Sequence, residues 1–357
     1  MPDPQETPAF QIPQRVLLLR DLCIREHGGA CERCASACPA QAISLPTAGA
    51  PAIDSDACTM CCACVGVCDA FTTPRTTLTD MRSRILRIAL AGQTPIVTCE
   101  ETLAAQGREP AANVVALPCL AAMPAELWAL ALVESTEGID VALDFAACEQ
   151  CSRAGATGGD LAAAAIAQAE GWTGRTAGFT EEIPEKETLL GGLLDEGGLD
   201  RRGALSGALS QLADIASGRY RARTHAPLEH GREHRERERL RARLKLDDGL
   251  QFNRFARHGR LRKTITPSRL LLLQAIDRDP SIASRVELRA PSIDPDRCQG
   301  ELSCSAACPT GALAPDPDTG AISFDGRYCT GCDLCEPACP HAAVSLMKTT
   351  AEAVMVR

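Results

Sequence analysis

Aromatic residues are scarce in this chain, although 45% of its 357 residues are hydrophobic. With only two Trp, two Tyr and seven Phe, its core must be built mostly from Ala, Leu and Val. Uninterrupted apolar runs are also missing. The nearest candidate for a membrane span, residues 114–133, contains Pro118, Pro124 and Glu126. We therefore expect no transmembrane segment.

Motifs for organic cofactors are absent as well. No Gly-x-Gly-x-x-Gly follows a predicted strand and no Gly-x-x-x-x-Gly-Lys-Ser/Thr occurs, so nucleotide or flavin binding has no support. The six histidines are scattered, and His341 is expected at the surface. Residues 1–13 are acidic and proline-rich, unlike an export signal, which predicts a cytoplasmic protein.

Charge is unevenly distributed along the chain. The net charge is −9, yet residues 219–263 contain fifteen basic and six acidic residues. This pattern predicts a charged helical insertion between acidic ends. Because aromatic residues for base stacking are sparse in the insertion, we do not expect a nucleic-acid partner.

Cysteine, in contrast, is abundant, with twenty residues. A chain this long does not need disulfides to be stable, so metal binding is the favoured use. The run Cys329-x2-Cys332-x2-Cys335-x3-Cys339-Pro340 has the spacing of iron–sulfur proteins, in which the fourth cysteine binds a different cluster from the first three. A zinc site more commonly uses two separated cysteine pairs.

The same arrangement occurs near both ends of the chain. Segments 23–71 and 298–346 each contain a cysteine cluster closed by Cys-Pro, a short apolar hairpin and a second cluster. The N-terminal copy departs from the pattern at Asp69, which stands where proline is expected after the last cysteine.

Both segments resemble the bacterial two-[4Fe-4S] ferredoxin family over about 50 residues each. The resemblance implies ferredoxin-like α+β modules in which each cluster takes one cysteine from the other run. The implied ligand sets are Cys23, Cys31, Cys34 and Cys68; Cys38, Cys58, Cys61 and Cys64; Cys308, Cys329, Cys332 and Cys335; and Cys298, Glu301, Cys304 and Cys339. Cys62 is left over and is interpreted as a small buried side chain.

Glu301 occupies a position where the family pattern has cysteine. A carboxylate is a harder ligand than a thiolate and holds soft iron–sulfur sites less tightly. Two interpretations remain open: Glu301 binds the fourth iron, or it points into solvent beside a [3Fe-4S] cluster held by three cysteines.

Between the two copies, short β-rich runs over 95–99, 113–118 and 139–145 alternate with helical patterns over 125–134 and 161–170. This alternation predicts an α/β domain with a parallel sheet. The remaining cysteines, Cys99, Cys119, Cys148 and Cys151, follow these strands and are expected at one edge of the sheet.

Two short motifs of this region, Pro-Cys-Leu at 118–120 and Cys-Glu-Gln-Cys at 148–151, resemble the small iron–sulfur electron-transfer subunit of methyl-viologen-reducing hydrogenase. The resemblance implies a fifth iron–sulfur cluster. A zinc site, a redox-active thiol pair and metal-free thiols remain alternatives.

We therefore predict four regions: a dicluster module over 1–90, an α/β cysteine domain over 91–180, a helical Arg-rich linker over 181–285 and a second dicluster module over 286–357. The predicted function is electron transfer by a polyferredoxin with three or four [4Fe-4S] clusters. Its expected partner is a larger oxidoreductase, which it would join in a hetero-oligomer or by docking. The alternative is a catalytic reductase whose active site is the middle cysteine group.

Overall fold

The computed structural model describes residues 16–74, 76–107, 109–186, 263–316 and 319–356. One compact unit comprises residues 1–183 and 250–357, and a second comprises residues 184–249. The predicted basic helical insertion lies outside the described residues, apart from Lys263 at its end. The elements described below belong to the first unit.

The N-terminal module consists of two antiparallel strand pairs and two short helices. The outer pair joins β1 (Leu17–Leu18) to β4 (Phe71–Thr72), and the inner hairpin joins β2 (Ile43–Ser44) to β3 (Ala52–Ile53). The helices, each of which contains one cysteine, are α1 (Arg33–Ser36) and α2 (Ala63–Val67).

The middle region has a four-stranded parallel sheet in the order β6-β5-β7-β8. Its strands are β5 (Ile96–Cys99), β6 (Val114–Leu117), β7 (Asp140–Ala142) and β8 (Gly178–Phe179). Every residue of β5 is buried, as expected for a central parallel strand covered on both faces. The sheet places the ends of β5, β6 and β7 at one edge.

The helices of this region are α3 (Leu78–Leu90), α4 (Glu100–Gln106), α5 (Ala125–Glu134), α6 (Phe145–Cys148) and α7 (Gly155–Thr173). Helix α3 begins with a capping box in which Thr77 and Asp80 satisfy each other's backbone amides. Helix α5 is apolar on nearly all sides because it packs against α3, α7 and a C-terminal helix, and Trp128 on α5 is fully buried.

The C-terminal module repeats the strand pairing of the N-terminal one. Strand β9 (Glu287–Ile293) pairs along its whole length with β12 (Val344–Thr350), and β10 (Leu313–Pro315) forms a hairpin with β11 (Ile322–Phe324). Its helices are α8 (Pro267–Arg278), α9 (Ile282–Arg285), α10 (Ser303–Ala307) and α11 (Ala351–Met355).

Helix α8 connects this module to the middle region. It lies within the predicted linker of residues 181–285, but it packs along α5 and is therefore part of the folded unit. The apolar residues of α8 supply this contact, and Leu272 and Leu273 are almost fully buried. At the far end of the contact, Glu134 pairs with buried Arg82 at 2.9 Å and with Arg278 at 3.5 Å.

Among the described residues, no helix has both the length and the apolar character that a bilayer crossing requires.

Candidate metal centres

The cysteines of the N-terminal module lie in two groups. Each group combines cysteines of one run with a single cysteine of the other run. In the first group, burial and the neighbouring thiols Cys31 and Cys23 raise the pKa of Cys34. Burial raises the pKa of Cys68 to about 11, and Cys34 adds to this rise. Cys68 therefore lies beside the early cysteines although it belongs to the later run.

The second N-terminal group has the converse arrangement, in which one cysteine of the early run lies among those of the later run. Burial is the main cause of the raised pKa of Cys64, and the thiols of Cys62, Cys61, Cys58 and Cys38 contribute. Cys38 and Cys58 also raise the pKa of Cys61, again after burial. Here the early residue Cys38 lies among the later cysteines.

The C-terminal module contains the same two groups. Burial raises the pKa of Cys335 to about 12, with further contributions from Cys329, Cys332 and Cys308. The other group surrounds Cys304, whose pKa is raised by burial and then by Cys339 and Cys298. In this module, too, one cysteine of each run raises the pKa of a thiol in the other run.

The four middle cysteines form a fifth group at the edge of the parallel sheet. Burial raises the pKa of Cys119 to about 12, and Cys61, Cys99 and Cys148 add to the rise. Burial also raises the pKa of Cys148, followed by the thiols of Cys99 and Cys151. Cys119 thus interacts electrostatically with both its own group and the second N-terminal group.

The backbone of the cysteine loops has an unusual and repeated conformation. Three loops place left-handed residues on either side of the second ligand position: Met60 and Cys62, Gly300 and Leu302, and Gly331 and Asp333. Non-glycine residues rarely adopt positive φ, and such strain is concentrated at functional sites. Successive amides in such turns form concave nests that favour bound anions, including iron–sulfur clusters.

Backbone amides also point at several sulfur atoms. The amides of Ala42 and Ala343 each lie 3.3 Å from the sulfur of the cysteine four residues earlier, Cys38 and Cys339. The Ala343 amide is the main cause of the lowered pKa of Cys339. Donors aimed at sulfur favour the thiolate, which is the form that binds metal.

Glu301 stands at the ligand position of its loop, between the left-handed residues Gly300 and Leu302. Its side chain is 51% exposed, and Oε1 lies 3.1 Å from Nε2 of His341, two residues after Cys339. Nε2 is shielded from water and is not aligned for a hydrogen bond, so the contact is electrostatic when the imidazole is protonated. His341, expected at the surface, is partly buried by this contact.

Cys62 lies beside the second N-terminal group, since the thiols of Cys61 and Cys58 add to the rise in its pKa. Its side chain is buried, its thiol donates to the Met60 carbonyl at 3.4 Å, and burial raises its pKa to about 12. Burial raises the pKa of the predicted ligand Cys335 to the same value, so the interpretation of Cys62 as a packing residue stays a prediction.

The second N-terminal group and the middle group are held against each other. Gly66 on α2 approaches the turn at 120–122 so closely that a Cβ there would lie 1.9 Å from the Ala121 carbonyl oxygen. Thr59 donates to the Arg153 carbonyl at 2.6 Å, and the Arg153 side chain pairs with Glu100 and Glu101. No local sequence signal predicts these contacts, because their partners are far apart in the chain.

The cysteine groups differ from a site for a single metal ion. In the part of the chain that the structure describes, every cysteine is a free thiol, and no set of three or more His, Cys, Asp or Glu side chains is arranged to hold a single metal ion. The groups nevertheless offer soft sulfur donors, backbone nests and aimed amides. These are the features with which proteins hold iron–sulfur clusters.

Comparison with known proteins gives one family match, at the C-terminal module, and several short matches to individual proteins. The 4Fe-4S dicluster domain family matches residues 290–340, which supports [4Fe-4S] clusters there. Hydrogenase-2 operon protein HybA of Escherichia coli O157:H7 is 46% identical over 39 residues, which cover 11% of this chain and 12% of HybA. A sulfite dehydrogenase subunit of Allochromatium vinosum is 44% identical over 46 residues, or 13% and 19% of the two chains.

The match to a third relative covers a larger share of that protein. Pyruvate synthase subunit PorD of Methanocaldococcus jannaschii is 33% identical over 58 residues, which cover 16% of this chain and 66% of PorD. The chain spans only about an eighth of the length of HybA. No solved structure matches.

Proposed function

We propose that this protein transfers single electrons through iron–sulfur clusters, as a polyferredoxin that serves a larger oxidoreductase. The observation that carries the proposal is the sorting of cysteines from distant parts of each module into shared groups. When bound, the clusters supply one-electron redox chemistry. The chain itself contributes the thiolate ligands, the amides that point at sulfur and the burial that limits access of water.

Three groups offer four thiols each, and we propose a [4Fe-4S] cluster for each of them. Their ligands are Cys23, Cys31, Cys34 and Cys68; Cys38, Cys58, Cys61 and Cys64; and Cys308, Cys329, Cys332 and Cys335. The fourth group has Cys298, Cys304 and Cys339 with Glu301. We propose that its cluster has a labile or carboxylate-bound fourth iron, which makes [3Fe-4S] its stable oxidised form.

For the middle group we propose a fifth iron–sulfur cluster. Four thiols from three strand ends meet there, beside the second N-terminal group. Such a position gives electrons a short route between the sheet edge and the module. Zinc, which also accepts four thiolates, is the alternative that metal analysis would reveal.

The partner is proposed to be a redox enzyme. The names of the relatives place them in a hydrogenase operon, a sulfite dehydrogenase and a pyruvate synthase, and two of them are named as subunits. A net charge of −9 suits docking to a basic surface, because complementary charge accelerates encounter.

A second candidate function is a reductase whose active site is the middle group. It is favoured by the partial exposure of Cys148 and Cys151, which substrate could reach at the sheet edge.

Reductive titration of the anaerobically reconstituted full chain separates the two candidates. We expect the chain to accept at least about three electrons, one per all-cysteine cube, and to pass them to a redox protein without converting a small molecule. Uptake of no electrons would refute both candidates. Turnover of a small disulfide or similar substrate with an artificial donor, lost in Cys148→Ser, would replace the first candidate with the second.

A further inference from the structure

The two modules meet through an aspartate that the ferredoxin pattern does not contain. Asp69, directly after Cys68, accepts a hydrogen bond from the Ser268 amide at 2.8 Å, in the first turn of α8. The N-cap residue of that helix, Thr266, makes no side-chain cap bond of its own. Asp69 therefore caps α8 from the other module, a role in which proline would be unable to serve.

The next residue of α8, Arg269, reaches the cysteine loop of the C-terminal module. Its guanidinium donates to the Cys329 carbonyl and lies 3.6 Å from the sulfur of Met355. Burial lowers the pKa of Arg269, while Cys329, Glu126 and Asp69 act in the opposite direction. Since arginine remains protonated in proteins, a fixed positive charge lies between the acidic side chains and the cysteine loop.

A second contact joins the same two cysteine groups. A Cβ on Gly29 would lie 3.1 Å from Leu334 Cδ2, so the Leu334 side chain packs against the backbone at Gly29. Gly29 is two residues before Cys31, and Leu334 directly precedes Cys335. The junction therefore lies between the group of Cys31 and the group of Cys335.

We propose that Arg269 is a positioning residue that joins these two groups and that its charge raises the reduction potential of the cluster held by Cys308, Cys329, Cys332 and Cys335. The inference rests on the proposed function. A single electron leaves one module and enters the other at this junction, with no bond made or broken, and the redox partner supplies it. A nearby cation stabilises the added negative charge, most strongly where water is excluded.

The test is a redox titration of the reconstituted full chain, followed by EPR, in which cluster signals are assigned by single Cys→Ser variants. Arg269→Gln keeps a donor for the Cys329 carbonyl but removes the charge, and it should shift the potential of this cluster to more negative values. Arg269→Lys should restore the wild-type potential. Arg278→Gln removes one charge from the other end of the same helix and is the matched control, expected to leave all potentials unchanged.

Equal shifts of the potential in Arg269→Gln and Arg278→Gln, or no shift in Arg269→Gln, would overturn the proposed role of the charge.

Hydrogen exchange gives a second measurement that needs no cluster: Asp69→Ala should accelerate exchange of the Ser268 amide and of the 329–335 loop. Unchanged exchange would refute the junction alone. Wild-type protein without any cluster signal would refute the proposed function and the electrostatic role together, while the exchange result would still decide the junction.

Discussion

One loop conformation occurs once in the N-terminal module and twice in the C-terminal module, but its ligand position holds different side chains. Cys61 and Cys332 occupy it in two loops and Glu301 in a third, yet each is flanked by left-handed residues. The backbone nest is therefore independent of the side chain it presents. One ligand position can be altered without loss of the loop, so that four similar sites need not have the same chemistry.

The largest effect should follow removal of ligands from one module. We expect Cys332→Ser with Cys335→Ser to abolish one cluster and expose the C-terminal module to protease, because cluster binding and folding are linked. The middle region, which has its own apolar core around α5, should stay resistant. Limited proteolysis with mass spectrometry measures this, and uniform resistance of the double variant would contradict it.

The next prediction sharpens the contrast at Glu301. Wild-type protein after mild oxidation should show a three-iron EPR signal. Glu301→Cys should abolish this signal and add a conventional cube, since a thiolate restores a soft ligand in an unchanged loop. Glu301→Gln, which keeps the size of the side chain but removes the carboxylate and supplies no thiolate, should retain the signal. Spectra that do not change in Glu301→Cys would show that this position is not a ligand site.

A smaller effect should distinguish the aspartates that precede the cysteine loops. Asp54 and Asp325 hold equivalent positions, but only Asp325 has a nearly buried ion pair, with Arg327 at 2.6 Å. Asp325→Asn should destabilise its hairpin by about 2 kcal/mol, because it leaves the guanidinium buried without its charge partner. Asp54→Asn should destabilise the β2–β3 hairpin by less than this. Hydrogen exchange at neutral pH measures the two losses of stability, in β10–β11 for Asp325→Asn and in β2–β3 for Asp54→Asn.

The pH dependence of this effect follows from the ion pair. Burial alone would raise the pKa of Asp325, but the bonds and charge of Arg327 lower it below its usual value. A lowered carboxyl pKa stabilises the fold fully above pH of about 4, and this stabilisation is lost as pH falls through the lowered value. The difference in the free energy of unfolding between wild type and Asp325→Asn should therefore be constant from neutral pH down to about pH 5. A difference that disappears near pH 7 would contradict the assignment.

The smallest effect is expected at the surface of the same loop. Arg289 forms a two-fold contact with Asp333, whose equivalent in the N-terminal loop is the buried Cys62. Both charged side chains are about half exposed, so Arg289→Gln should change the free energy of unfolding by less than about 1 kcal/mol. Chemical denaturation tests this, and a larger loss would mean that the pair supports the loop.

Local pattern predicted two strands and one helix of the middle region closely, whereas the run over 139–145 forms a strand only over Asp140–Ala142 and ends in a helix, and the helix expected over 161–170 spans Gly155–Thr173. The β-rich runs at 95–99 and 113–118 contain strands at 96–99 and 114–117, and the helix over 125–134 has the predicted bounds. These signals are strong because a buried parallel strand is apolar throughout and α5 is buried on nearly all sides. The expected cysteine groups depend on spacing, which the sequence displays directly, and they stay a prediction.

Long-range contacts could not be predicted from sequence. Asp69 was only a departure from a pattern until the structure placed it at the start of α8, about 200 residues later in the chain. The contact of His341 with Glu301 and the packing of α8 on α5 are of the same kind. Each depends on how separate elements pack, which no local periodicity encodes.

The cysteines proposed as ligands should hold clusters, whereas Cys62 should not. The most direct test compares iron and acid-labile sulfide in wild-type protein, Cys61→Ser and Cys62→Ser after identical anaerobic reconstitution. We predict at least about twelve irons in wild type, a loss of up to about four in Cys61→Ser and none in Cys62→Ser, although the two residues are neighbours. Equal iron content in all three proteins, or the loss in Cys62→Ser alone, would contradict the assignment.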